Sequence, residues 1–315
     1  MKNIYITLRI SALMILSLLM IKTTAIAQEE ATADTTVQEP QVERPVRPGF
    51  ESGLLFDATT TTVSPSKTLE FVLQHRFGYM DTENYSKDFF GIWGSSNIRV
   101  GLNYSFTDKF TVGFGTTKMK RLQDLQLKYK VLEQTRSNSI PVTVVIHEVI
   151  GVDARDASTW DQNEGSPEYN FSNRMSYFTE LIVGRRFNDQ LSLQVSGAFT
   201  HYNCVDSVYD HDRISLSFAG RYKFSPQGSF IVAGDFPLDI TGIKDYKKDA
   251  DENTIIYDKP NISVGVEIST STHAFQIYLA SAQGILPQED IMWNNHDFFK
   301  GGFMIGFNLT RLWNF

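Results

Sequence analysis

From about residue 66 onward, apolar and polar residues alternate with a period of two, in stretches of roughly ten residues separated by turn-forming segments. This pattern describes β-strands with one apolar and one polar side. It is cleanest over 97–106, where Ile98, Val100, Leu102, Tyr104 and Phe106 oppose Asn97, Arg99, Gly101, Asn103 and Ser105. The spacing predicts twelve strands, over 68–80, 96–106, 110–118, 123–133, 141–150, 175–186, 190–201, 213–223, 229–235, 262–270, 273–281 and 301–313. Twelve is even, as a closed single-chain barrel in a membrane requires, and several segments have the roughly 9–11 residues that cross a bilayer at a tilt. The 123–133 segment also fits a helical stripe through Leu122, Leu125, Tyr129 and Leu132, and 141–150 and 175–186 alternate only loosely.

The connections follow a rule of their own. Long segments at 81–95, 151–174, 236–261 and 282–300 and a medium one at 202–212 alternate with shorter connections at 107–109, 134–140, 187–189, 224–228 and 271–272; the short 119–122 connection is the exception. A barrel with both termini in the periplasm has short periplasmic turns and long external loops. Aromatic residues fall where that threading puts the periplasmic interface: Phe106 and Phe110 flank one short turn, Phe187 sits at another, Tyr222 and Phe224 precede a third, and Trp313 and Phe315 end the chain. Phe315, with Trp313, Leu309 and Phe307 on the same face, matches the aromatic C-terminal signal read by barrel-insertion machinery, with Arg311 as the departure. Periodicity alone does not say which face is inside, and a soluble secreted barrel or sandwich would alternate in the same way. Loop alternation, aromatic placement and the terminal residue together point to the membrane.

The N-terminus reads as a processing signal. Lys2 and Arg9 precede an apolar core over 10–21, and Ala25-Ile26-Ala27 gives a cleavage site, so 1–27 is a signal peptide cleaved after Ala27. Residues 28–49 are rich in Thr, Glu, Gln and Pro and are expected to form a flexible periplasmic arm, a possible handle for a periplasmic partner. Residues 50–315 are then the barrel. Beyond residue 27 no run of 18 apolar residues supplies a membrane-spanning helix. A single cysteine, Cys204, excludes an internal disulfide framework.

Blocks of sequence resemble a known family. The stretch from Arg44 through Gly49-Phe50-Glu51-Ser52, Lys67-Thr68-Leu69-Glu70-Phe71 running into Gln74-His75-Arg76-Phe77-Gly78, the Phe90-Gly91-Ile92 block, Ser96-Asn97-Ile98-Arg99, Gly101-Leu102-Asn103-Tyr104 and Leu122-Gln123-Asp124 with Lys128-Tyr129 are similar to a Bacteroidetes-type outer-membrane β-barrel family classed as a domain of unknown function. The resemblance spans 44–315 and implies a barrel in the cell outer membrane, among outer-membrane lipid and lipopolysaccharide. It carries no catalytic or binding residue.

Polar alternates should line the lumen: Glu70, Gln74, Arg76, Arg99, Asn103, Lys128, Arg213, Arg221, Lys223 and Glu267. A barrel of about eight strands is filled by side chains and one of 16–18 is an open porin, so twelve strands suggest a narrow path or a plugged interior stabilised by ion pairs. The five segments 81–95, 151–174, 202–212, 236–261 and 282–300 sum to −12, against −10 for the chain after residue 27, so the net negative charge gathers at one mouth. That charge excludes nucleic acid as a partner. His201, Cys204, Asp206, Asp210, His211 and Asp212 cluster in one connection without the spacing of a recognised metal motif, and no metal or cofactor is expected. His75 and His147 are available to a hydrolase, but no serine can be assigned beside either and G-x-S-x-G is absent. The expected function is a narrow channel or uptake barrel for a small solute, not an enzyme. The alternatives are a non-conducting scaffold engaging a periplasmic partner and a lipid-modifying barrel enzyme.

Overall fold

The computed structural model describes residues 43–80, 88–160, 169–205, 210–238 and 259–315. The predicted signal peptide, the predicted arm as far as residue 42 and parts of the acidic loops lie outside the described residues. Two short strands, β1 (Leu54–Leu55) and β2 (Ala58–Thr59), precede twelve long ones. These are β3 (Thr68–Tyr79), β4 (Asn97–Thr107), β5 (Phe110–Thr117), β6 (Gln123–Leu132), β7 (Thr143–Val152) and β8 (Met175–Arg186). They continue with β9 (Leu191–Tyr202), β10 (Asp212–Lys223), β11 (Gly228–Leu238), β12 (Asn261–Ser269), β13 (His273–Ala280) and β14 (Met304–Asn314). One short helix, α1 (Pro287–Trp293), lies between β13 and β14.

Strands β3 to β14 form a closed antiparallel barrel in which every strand pairs with its sequence neighbours and β14 closes on β3, with Thr68 opposite Asn314 and Leu73 opposite Leu309. The twelve predicted strands are the twelve observed, displaced by at most three residues at the ends. Segment 123–133 is a strand, because its period-two reading serves both faces: Leu125 and Tyr129 point outward while Asp124, Lys128 and Lys130 are buried inside.

The direction of the apolar face decides the solvent. Val100, Leu102, Phe114, Leu125, Leu181, Val195, Leu216, Phe230, Val264 and Ile277 are exposed on the outside, and their polar neighbours Arg99, Asp124, Glu180, Gln194, Ser215, Ser229, Ser263 and Gln276 are buried inside. A continuous apolar belt of this kind is far larger than the patches soluble monomers expose, and it suits lipid. At the short-turn end the belt finishes in aromatics. Phe106, Phe187, Tyr222, Phe224 and Phe315 are exposed there, Phe110 and Trp313 half-buried. The Arg311 guanidinium lies 4.9 Å from the Trp313 ring and that of Arg185 lies 5.4 Å from Phe187. Each guanidinium thus lies within cation–π distance of a neighbouring aromatic ring.

The interior is occupied from both ends. Residues 43–49, expected as the end of a flexible arm, are bound at the short-turn end: Pro45 bridges to Thr135, and the Val46 N–H donates to the Gln134 carbonyl at 2.8 Å. Residues 50–66, expected as barrel, are not in the wall. They run up the lumen, turn between β1 and β2, and return to the same end, where the Ser66 N–H meets Asp108 at 2.8 Å. This placement inside the wall has a physical cause. Phe50, Leu55 and Phe56 need burial, and the small wall residues Ala219, Ala233 and Ala280 leave room for them beside Ile231 and Tyr278. From the other end the β13–β14 connection folds inward, and Ile291 of α1 packs on Val149, Phe178 and Ala198 of the inner wall.

Candidate functional site

The hairpin from below and the loop from above meet on one wall arginine. Arg76, on the inward parity of β3, is fully buried. Its Nη2 lies 2.7 Å from Asp57 Oδ2 at the hairpin tip, and its Nη1 lies 3.4 Å from Asp290 Oδ2 in α1. The carbonyls of Ala282 and Gly284 also accept from Nη1. Asn261 donates to the same Asp57 oxygen and to Asp235. Three carboxyl groups therefore gather near one guanidinium. Burial pushes the Asp290 carboxyl well above the usual carboxylate range, with the Arg76 charge opposing it.

The residue before Asp57 sets the turn. Phe56 has φ 58°, a left-handed conformation that costs about 1–2 kcal/mol for a residue with a Cβ. Wall side chains hold it there. Its N–H donates to Gln276 Oε1 at 3.0 Å, its carbonyl accepts from Asn308 at 2.6 Å and Gln74 at 3.2 Å, and its ring stacks on Tyr278 at 4.5 Å. Lower in the lumen Glu51 bridges Arg221 and Lys223, each at 3.0 Å. Burial acts to raise its carboxyl, but the hydrogen bond from Lys223 and the charge of Arg221 hold it below the ordinary value. Ser52 Oγ donates to Glu267 at 3.2 Å, and Lys128 Nζ to the Thr62 carbonyl at 2.5 Å.

The predicted lumen residues thus divide by partner. Gln74, Arg76, Lys128, Arg221 and Glu267 touch the hairpin. Arg99 pairs instead with Asp124 across the wall, Nη2 to Oδ2 at 2.6 Å, and Glu70 accepts from Asn103 at 2.8 Å. The Arg99–Asp124 pair lies flat because Gly115 offers no Cβ, which would fall within 2.6 Å of Asp124 Oδ1 and closer still to the guanidinium. Reasoning from sequence missed Glu51, Phe56, Asp57 and Asp290. The only signal was an apolar stretch, 53–56, lodged between a polar arm and the first strand.

Between hairpin, wall and inward loop remains a cavity of about 50 Å³, bordered by Leu54, Asp57, Glu70, Arg99, Lys128 and Ile285. A single water needs at least ~10–15 Å³ of such space, so this cavity has room for a few waters. Elsewhere, His201 Nδ1 lies 2.6 Å from Asp212 and its Nε2 3.0 Å from Asn203, while His211 Nδ1 meets the Tyr202 carbonyl at 2.6 Å. Asp206 lies outside the described residues. His75 faces outward, stacked on Phe307 at 5.0 Å and edge-on to Phe77 at 4.5 Å. His147 faces inward, 3.5 Å from Glu180, whose other oxygen accepts from Ser196 at 2.5 Å.

Among solved structures the chain is similar to an outer membrane channel (COG4313) from Pseudomonas putida F1, with 12% identity, a TM-score of 0.44, and 82% of this chain and 98% of that one covered. It is also similar to the KdgM porin, with 8% identity, a TM-score of 0.41 and 79% and 99% covered. LpxR from Salmonella typhimurium gives 11% identity, a TM-score of 0.36 and 79% and 100% covered. No curated protein matches. One family model matches residues 50–313, from the first residue of the lumen hairpin almost to the end of β14, and the chain belongs to that family, described as a membrane bound beta barrel domain (DUF5777).

Proposed function

We propose that this protein is an outer-membrane channel or uptake barrel for a small solute, kept shut by its own N-terminal hairpin. In this reading the short-turn end faces the periplasm and the long-loop end the exterior, as in barrels with short periplasmic turns. The observation that carries it is how the plug is seated. Residues 50–66 enter and leave at one end, so they can withdraw as a unit without unthreading, and the wall they would uncover is mostly polar, apart from the patch of Ala219, Ile231, Ala233, Tyr278 and Ala280 under Phe50, Leu55 and Phe56. Gln74, Arg76, Lys128, Gln194, Arg221, Gln276 and Asn308 make the inner surface behind the plug. Such a surface hydrates when exposed, whereas an apolar one would collapse or aggregate. The barrel has no catalytic part in this reading.

A second reading, a non-conducting scaffold that engages a periplasmic partner through residues 28–49, draws support from the small residual cavity. Planar-bilayer recordings separate the two. Full-length protein should be closed most of the time, and a variant with the plug unseated should conduct. Correctly folded, plug-disrupted barrels that pass no current would refute the channel and leave the scaffold.

A further inference from the structure

On the lipid-facing parity of the barrel, titratable side chains sit almost entirely near strand ends, as Arg185, Asp212, His273 and Arg311 do. Glu148 breaks this rule. It is the sixth of ten residues in β7, between the outward-facing Ile146 and Ile150, and opposite Leu127 on β6 and Thr179 on β8. Its inward neighbours His147 and Val149 are buried, which puts the carboxyl on the outer face. Thr179 Oγ1 donates to Glu148 Oε2 at 2.7 Å, satisfying one oxygen and leaving the other toward lipid. His75, the other titratable group in the middle of an outer strand face, is packed against Phe77 and Phe307 and is tolerable as a neutral ring. A carboxyl has no comparable shelter. Ionisable groups at mid-membrane depth are expensive and usually meet a partner.

We propose that the outer face of β7 is a twofold contact between two copies of this chain in the membrane, centred on Glu148. The chemistry of the group selects the occupant. A residue on a twofold axis meets its own counterpart, so it must be complementary to itself. A protonated carboxyl is: it carries one donor and one acceptor, and two of them form reciprocal hydrogen bonds. The surrounding Leu127, Ile146, Ile150 and Leu181 are apolar and supply contact around that centre; of the polar groups beside them, the Thr179 hydroxyl is already bonded to Glu148 and Tyr129 carries a hydroxyl that can both donate and accept. A different protein or a lipid would have to bring its own partner for the carboxyl; a second copy already has it.

The test uses the full chain in liposomes at low protein-to-lipid ratio. Single-molecule photobleaching should show two steps for the unaltered protein. Glu148→Gln, whose amide is also self-complementary, should keep them. Glu148→Leu, which suits lipid and should fold, is expected to raise the dimer dissociation constant roughly ten- to a hundredfold, the worth of two hydrogen bonds in a membrane. In a Cys204→Ser background, Glu148→Cys should form a disulfide-linked dimer under mild oxidation, and Val264→Cys, on the distant outer face of β12, should not. One-step bleaching of the unaltered protein, dimers undiminished in Glu148→Leu, or equal cross-linking at both cysteines would each overturn the proposal.

Discussion

Replacing Arg76 by Met tests the idea that one guanidinium holds both closures. Met keeps much of the volume and removes the charge and every donor. Asp57 on the hairpin and Asp290 in α1, now 2.7 and 3.4 Å from the guanidinium, would be left as buried carboxyls near Asp235 with no counter-charge. Breaking a buried pair by removing one partner costs about 3–5 kcal/mol. The plug and the inward loop can relieve that cost by leaving, so the full penalty bears on the closed state and little on the barrel. At about 1.4 kcal/mol per tenfold change, the ratio of unplugged to plugged barrels should rise by roughly two to three and a half decades. Bilayer recordings read this as open probability, and thiol labelling of Val63→Cys reads it as plug exposure without requiring conduction. Heat-modifiable migration on a detergent gel confirms that the wall is intact. An Arg76→Met barrel that is folded, closed as often as the unaltered protein, and labelled within tenfold of its rate would refute Arg76 as the shared latch.

Three further outcomes follow from the same contacts. Phe56→Ala removes a buried ring stacked on Tyr278 and should weaken plug seating by about 3–5 kcal/mol, seen as faster proteolysis of residues 50–66 with the barrel undigested. Gly115→Val forces a side chain into the Arg99–Asp124 pair and should lower barrel stability by roughly 1–3 kcal/mol, read from the urea midpoint in detergent; an unchanged midpoint would mean that the pair can move aside. Because Glu51 is held below its ordinary value, its contribution to plug seating is present above the pKa of the released plug and is lost as pH falls through the lower bound value. Labelling of Val63→Cys should therefore accelerate in acid, and Glu51→Gln should be fast throughout and flat over the same range.

The wall was legible in the sequence because every strand residue answers to one of two solvents. Lipid selects Leu216 and Phe218, the lumen selects Ser215 and Arg221, and the alternation survives in the chain as written. The interior was illegible for a related reason. Gly53, Leu54, Leu55 and Phe56 carry no period, since they lie inside a wall that other strands supply, Leu55 and Phe56 buried and Gly53 and Leu54 half-buried, and Asp290 looks like any acidic loop residue until Arg76 is placed beneath it. Long-range pairing between residues 19 and 214 positions apart leaves no local trace.

That separation also bears on how the plug can move. The wall's stability rests on backbone ladders closed through β3 and β14, and none of them uses residues 50–66. The plug is held by side chains from many strands: Arg76 on β3, Lys128 on β6, Gln194 on β9, Arg221 on β10, Glu267 on β12, Gln276 on β13 and Asn308 on β14. Each contact exchanges a protein partner for water when the plug leaves, so each is worth only a modest net amount, about 0.5–1.5 kcal/mol for neutral groups. A lumen that bound its plug through an apolar core alone would forfeit burial with nothing to replace it. Here water can take over most of the polar contacts in turn, and the cost that stays concentrated is the apolar cluster around Phe56 together with the ion pair at Arg76. In the proposed channel, opening would thus be governed by two adjacent residues at the hairpin tip, Phe56 and Asp57, although the hairpin touches strands all around the barrel.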